Sequence, residues 1–179
     1  MARKLSVGAY ILAILITCSS AVLFNVGAIK IGLPDYYRTA VRWPQSYCNT
    51  GKFVCAKPTP FHFIIHALIP MYHGHEKVPQ FNKTGCTHTQ PKTEKDINNE
   101  LLAPLGDELR INWPSLGIEK HYLKLWRYGW KLHGMCSEFA DHPFDYFDKA
   151  LSLVRQHDFM LELIRGSGPK NHMFEKRCP

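Results

Sequence analysis

Phe63-Ile64-Ile65-His66-Ala67-Leu68-Ile69-Pro70 is the stretch whose reading decides the fold. It is rich in β-branched and aromatic residues, has no Asp, Glu, Lys or Arg and ends at a proline, the pattern of a strand. Taken from Phe61 to Leu68, alternation sets His62, Ile64, His66 and Leu68 on one face. His66 is thereby framed by apolar side chains. A second stretch frames another histidine on a different scaffold. Leu125-Trp126-Arg127-Tyr128-Gly129-Trp130-Lys131-Leu132-His133-Gly134-Met135-Cys136 belongs to a helical pattern over Glu119 to His133. Tyr122, Trp126, Trp130 and His133 recur at helical intervals along one stripe, and Gly134 supplies a stop.

Outward from these two stretches, strand and helix signals mix without a regular βα alternation. Tyr36 to Trp43 reads as a first strand ended by Pro44. Cys48 and Cys55 enclose a short loop containing Gly51, a natural place for a tight disulfide. Met71 to Asp96, with Gly74, Pro79, Gly85 and Pro91, reads as a long surface loop. Ile97 to Leu105 holds a helical turn or two. Asp141 is the expected cap of a helix with Pro143 in its first turn and Phe147, Ala150, Leu151 and Val154 on its apolar face. Asp158 to Ile164 reads as a further short helix, broken by Gly166, Gly168 and Pro169, and the tail from Lys170 to Pro179 has no clear period. No internal repeat is visible, so the expected class is α+β in one domain.

The start of the chain reads differently. Arg3 and Lys4 precede an uncharged apolar run from Leu5 to Ile16, and Cys18, Ser19, Ser20 and Ala21 supply small residues for cleavage. Val26 and Ala28 offer a later site. This is the pattern of a secretory signal peptide over residues 1–28, cleaved between 20 and 28, leaving one domain over 29–179. An uncleaved anchor over Leu5 to Phe24 is the rival. Either way the rest of the chain lies outside the cytosol, secreted or lumenal, where disulfides form. Five cysteines follow the leader: Cys48, Cys55, Cys86, Cys136 and Cys178. An odd count leaves one thiol without an internal partner. Asn82-Lys83-Thr84 is a glycosylation acceptor, usable on an exported surface.

The 179 residues carry a net charge of +7, which falls to +5 once Arg3 and Lys4 are discounted. A basic surface suits a polyanion. A hydrophobic share of 45% is ordinary for a folded domain and excludes a disordered chain.

His66 and His133 are the candidate catalytic pair. RNA carries its own nucleophile, the 2′-hydroxyl. Cleaving it without metal needs a base for that proton and an acid for the departing 5′-oxygen, and histidine titrates near neutrality. Tyr128, Trp130 and Lys131, on the same segment as His133, are candidates for holding RNA by stacking and charge. Metal chemistry fits less well. His73-Gly74-His75 lacks a third ligand, and His62 and His66 have helical spacing on a strand. No cofactor is expected.

The two segments resemble those of the ribonuclease T2 family. That family's first segment reads Phe-Thr-Ile-His-Gly-Leu-Trp-Pro, matched here at Phe63, Ile65, His66, Leu68 and Pro70. Its second reads Trp-x-His-Glu-Trp-x-Lys-His-Gly-Thr-Cys, matched at Trp126, Trp130, His133, Gly134 and Cys136. Trp43-Pro44-x-Ser46-Tyr47-Cys48, Trp113-Pro114-Ser115-Leu116 and Tyr146-Phe147 follow the family's order, across roughly Asp35 to Leu163. The resemblance implies an α+β core with a central, mainly antiparallel sheet and packed helices. It implies disulfides Cys48–Cys55 and Cys86–Cys136, and single-stranded RNA cut through a 2′,3′-cyclic phosphate by His66 and His133.

The departures bear on activity. Tyr128, Gly129, Leu132 and Met135 depart in the second segment, and Ile64, Ala67 and Ile69 in the first. Gly129 replaces the family glutamate, Leu132 its lysine and Ile69 a tryptophan linked to base binding. The family also continues further with extra strands and cysteines, so the expectation is a shortened C-terminus with Cys178 lacking an obvious partner. The alternative function is a catalytically impaired, secreted RNA-binding or interaction protein.

Overall fold

The computed structural model describes residues 32–52, 54–84, 90–161 and 177–178. The chain divides at Lys30/Ile31 into two units, and all described residues belong to the second. The expected leader over residues 1–28, and Cys86, lie outside the described residues.

Among the described residues the sheet has three antiparallel strands in the order β2-β1-β3, where β1 is Tyr36–Arg42, β2 is Ile64–Met71 and β3 is Arg177–Cys178. With the helices packed beside it, this is an α+β fold. β1 stops one residue earlier than the sequence suggests. β2 is shifted three residues towards its C-terminus, because Phe61 and Phe63 instead pack edge-on against Trp43, with ring centroids 5.1 and 5.2 Å away. Pro70 fits inside β2 because β2 is an edge of the described sheet and no ladder donor is lost there. Nor is β2 a half-buried strand. Ile64, Ile65, Ala67, Leu68, Ile69 and Met71 are all buried, so both faces are covered, and His66 is the exception.

A register slip explains that exception. Ala40 pairs with Ala67, but the next residue, Val41, pairs with Ile65. His66 is skipped. It is the extra residue of a β-bulge, which breaks the alternation and re-aims one side chain. Simple period-two reading put His66 on the face of Ile64 and Leu68, and the bulge overturns it.

The expected loop after β2 begins with a tight reversal. Gly74 (φ 85°) and His75 (φ 66°) both adopt left-handed backbone. The amide of Tyr72 donates to Glu76 O at 2.8 Å and that of Val78 to Pro70 O at 3.0 Å, returning Lys77 to the side of Met71. A helical turn, α1 (Pro44–Cys48), follows β1, and another, α2 (Phe81–Thr84), carries Asn82 on the surface.

Beyond it, α3 (Asn99–Leu102) is capped by Asn98, whose Oδ1 accepts from Leu101 N at 2.8 Å. A 3-10 turn (Ala103–Leu105) leads into α4 (Gly106–Asn112), extending the helical region past the expected Leu105. The expected helix over Glu119 to His133 becomes α5 (Tyr122–Gly129) followed by a π turn, Trp130–Gly134. α6 spans Pro143–Gln156. His142, not Asp141, holds its cap position, because Pro143 takes the first helical place and so defines the residue before it as the cap. Asp158 Oδ1 accepts from the amides of Met160 and Leu161, starting a final described turn.

The main core joins Ile65, Leu68 and Tyr37 of the sheet to Ile97, Leu102, Leu109, Trp113, Trp126, Trp130, Tyr146, Phe147 and Leu151. Each large side chain buried there contributes about 1.5–3 kcal/mol. Two phenols of this core have their polar ends matched. Tyr146 donates to Leu68 O at 2.7 Å, and Tyr37 Oη accepts from Glu138 N at 3.0 Å.

Candidate active site

Two irregular pieces of backbone carry the two histidines. His66 sits on the β2 bulge. His133 sits in the π turn, whose Met135 N donates to Trp130 O at 3.1 Å, one residue wider than a helical bond. β2 packs against this turn. Three donors on the helical side pin the segment in place. Trp126 Nε1 donates to Trp113 O at 3.0 Å, Arg127 Nε to Ile97 O at 2.7 Å and Trp130 Nε1 to Lys92 O at 2.8 Å. Gly134 is required by contact rather than by φ. A Cβ there would lie 2.0 Å from the Trp130 ring, which lies against the glycine.

The electrostatics of both histidines run the same way. His66 is lowered to about 4. The residue keeps a face open to water, yet the protein around its ring disfavours the charged form, and Arg42 and Lys77 add to that. His133 is lowered to about 4, first by burial, then by Lys77 and by His66. The two histidines are therefore electrical neighbours. Both are neutral at pH 7, and a proton placed on one is felt by the other.

Two cations at this site escaped the sequence reading. Arg42, at the end of β1, pairs with Ile64 and so is the diagonal cross-strand neighbour of His66. Its guanidinium reaches His66 Nδ1 and lies over the Tyr47 ring, 3.9 Å from the centroid. The signal available was its place one residue before the Trp43-Pro44 landmark. Lys77 arrives through the reversal at Gly74-His75, and no local pattern marks it.

Beside His66 lies a cleft of about 280 Å³, lined also by Arg42, Tyr47, Ile65, Trp113, Ser115 and Leu125. Its walls are apolar and aromatic with a cation and an imidazole at one side, which suits a flat ring bearing a phosphate.

The other sequence candidates separate. Trp130 is fully buried, so its ring forms core instead of stacking on a substrate, and the substrate-binding expectation for it is corrected. Lys131 is spent on an ion pair with Glu94 at 3.1 Å. Tyr128 is 61% exposed and is not among the cleft-lining residues. Gly129 is buried against Trp113, whose ring would meet an added Cβ at 3.2 Å. His73 lies 3.7 Å from Asp35, while Arg38 approaches His75 at 3.5 Å, so the two histidines of that reversal serve different partners. His62 approaches Ile111 O at 3.1 Å. Cys48 and Cys55 are joined. Cys136 is disulfide-bonded, and its expected partner Cys86 lies outside the described residues.

An antiparallel α+β fold with two histidines set on one sheet-and-helix junction defines the class. The chain belongs to the Ribonuclease T2 family, whose model matches residues 34–171. It is 30% identical over 137 residues to Ribonuclease S-2 of Antirrhinum hispanicum, covering 74% of this chain and 54% of that protein. It is 28% identical over 136 residues to Ribonuclease 1 of Arabidopsis thaliana, covering 73% and 54%. The chain thus spans about half the length of these curated relatives. Among solved structures, RNase NT in complex with 5′-AMP superposes with a TM-score of 0.57 at 25% identity, covering 79% of this chain and 66% of that one.

Proposed function

We propose that this protein is a secreted, metal-independent endoribonuclease acting on single-stranded RNA. One observation carries the reading: His66 and His133, from separate elements, share one electrostatic neighbourhood, and His66 lines a cleft that fits a base. One histidine takes the proton of the 2′-hydroxyl as its oxygen attacks phosphorus. The other gives a proton to the 5′-oxygen as that bond breaks, leaving a 2′,3′-cyclic phosphate that water opens to a 3′-phosphate. The leader over residues 1–28 would direct export, and Asn82, exposed on α2, would be open to glycosylation.

Purified mature protein should cleave single-stranded RNA, and His66→Ala and His133→Ala should each abolish cleavage. Normal cleavage by both variants would end the two-histidine reading.

A second reading has its own support. Gly129 has no side chain and faces Trp113, and Leu132 has no charge. A protein without those groups could bind RNA while cutting it poorly. Salt-sensitive RNA binding together with no cleavage would favour this alternative.

A further inference from the structure

The contact between Arg42 and His66 has a chemical consequence. Arginine offers only donors, so His66 Nδ1 must be the acceptor and the neutral ring keeps its hydrogen on Nε2. In that state His66 is idle. To act as a base it must present a lone pair, and the one on Nδ1 is engaged by Arg42. To act as an acid it must first gain a second proton, and that proton belongs on the same Nδ1. Either duty requires the guanidinium to leave.

The site offers it a destination. Arg42 lines the cleft and lies over Tyr47, a surface across which a planar cation can slide while keeping its aromatic contact. Among the described residues no carboxylate lines the cleft to hold it back. A phosphodiester presents two non-bridging oxygens, which a guanidinium matches with two parallel hydrogen bonds.

We propose that Arg42 is the phosphate-binding cation of this site and the gate on His66. An incoming phosphodiester draws the guanidinium onto its non-bridging oxygens and frees Nδ1 for proton transfer. Arg42 gives up no proton in this step; the protons move between RNA and the two histidines alone. The role is the one left empty at Leu132, filled from β1 instead of from the π turn. Among the described residues, the charged and titratable groups around His66 are then Arg42 from β1, Tyr47 in the cleft wall, Lys77 from the reversal after β2 and His133 from the π turn. The gating half rests on the two-histidine reading; the phosphate-binding half does not.

The test uses nitrogen NMR of the imidazoles in the full chain, titrated with inorganic phosphate and with a 2′-deoxy dinucleotide, which lacks the nucleophile and survives. Free protein should show His66 protonated on Nε2 alone. Saturating ligand should move its pKa up from about 4 towards the ordinary 6.5. Arg42→Gln should start higher without ligand and bind phosphate at least about tenfold more weakly, since a charge-assisted contact is lost. Arg42→Lys should recover part of that affinity. Unchanged phosphate affinity in Arg42→Gln would overturn the binding role, and a wild-type His66 that ignores saturating phosphate would overturn the gate. That wild-type measurement decides the gate even if Arg42→Gln does not fold. Should His66→Ala and His133→Ala cleave RNA normally while Arg42→Gln loses phosphate affinity, the two-histidine reading and the gate fall and the phosphate site stands.

Discussion

His66 and His133 stay neutral well below the pH at which a free histidine charges, and this has two consequences. The first concerns stability. Each ring is lowered from 6.5 to about 4 in the folded chain, so the unfolded chain binds more protons between those values. Their contribution to stability is present above about pH 6.5 and is lost as pH falls towards about 4. Urea unfolding midpoints should therefore drop across that interval, and His133→Asn should flatten the drop. A slope unchanged in the variant would remove His133 as its cause. The second concerns rate. The kcat/KM profile reports the free enzyme, so its optimum should lie on the acid side of neutrality. At the same scale, the two missing family groups separate. Leu132→Lys adds a second cation to the one Arg42 already supplies and should raise cleavage by about tenfold, less than the roughly hundredfold or more that a first electrostatic stabiliser contributes. Gly129→Glu would set its Cβ 3.2 Å from the buried Trp113 ring and start a charged side chain from a buried position. It should lower unfolding stability by about 1–3 kcal/mol in a urea titration, as an unpaired polar group in a core does.

At the scale of elements, the two candidate histidines coincide with departures from regular structure. The bulge at His66 turns one ring out of a strand otherwise buried on both faces. The π turn is built on the contact between Trp130 and Gly134. Gly134→Ala cannot keep it, because the new methyl would lie 2.0 Å from a fully buried ring. The expected loss is about 3 kcal/mol, the upper end of ordinary overpacking, measurable by chemical unfolding. Gly106→Ala is the control. Its Cβ would meet only the end of the Arg110 side chain, at 3.5 Å, and its stability should change little. Equal effects at the two glycines would mean that the Trp130 contact does not constrain the turn.

For the whole molecule, charge and covalent closure are the levers. The chain carries +7, and Arg42 and Lys77 concentrate part of that charge at the histidines. RNA binding should therefore weaken steadily as salt rises, because bound counterions are released from the phosphates. An affinity indifferent to salt would remove the argument from charge. The Cys48–Cys55 bond closes a loop with a sequence separation of 7, too short to restrict the unfolded chain strongly. Cys48→Ser with Cys55→Ser should cost about 2 kcal/mol, the low end for disulfides.

What the amino-acid sequence determined by itself is the part that rests on local pattern. A run ended by Pro44 marked β1, β-branched and aromatic content marked β2, helical stripes marked α5 and α6, and the two histidine segments with their Trp-Pro landmarks led to the family. Those signals are short-range, so they survive without knowledge of what packs where. Only the tertiary structure decided how the site is assembled. The bulge that exposes His66 depends on the pairing register of two strands, which no single strand carries. Trp130 is a stacking candidate in the sequence because it shares a segment with His133; packing against Tyr146 and Phe147 puts it in the core. Arg42 stands 24 residues from His66 and Lys77 comes back by a tight reversal, so both cations join the histidines only once the chain has closed on itself. Sequence pattern specifies which residues prefer to be strand, helix or turn, but the fields and hydrogen bonds of a site depend on distances that exist only after the chain has folded.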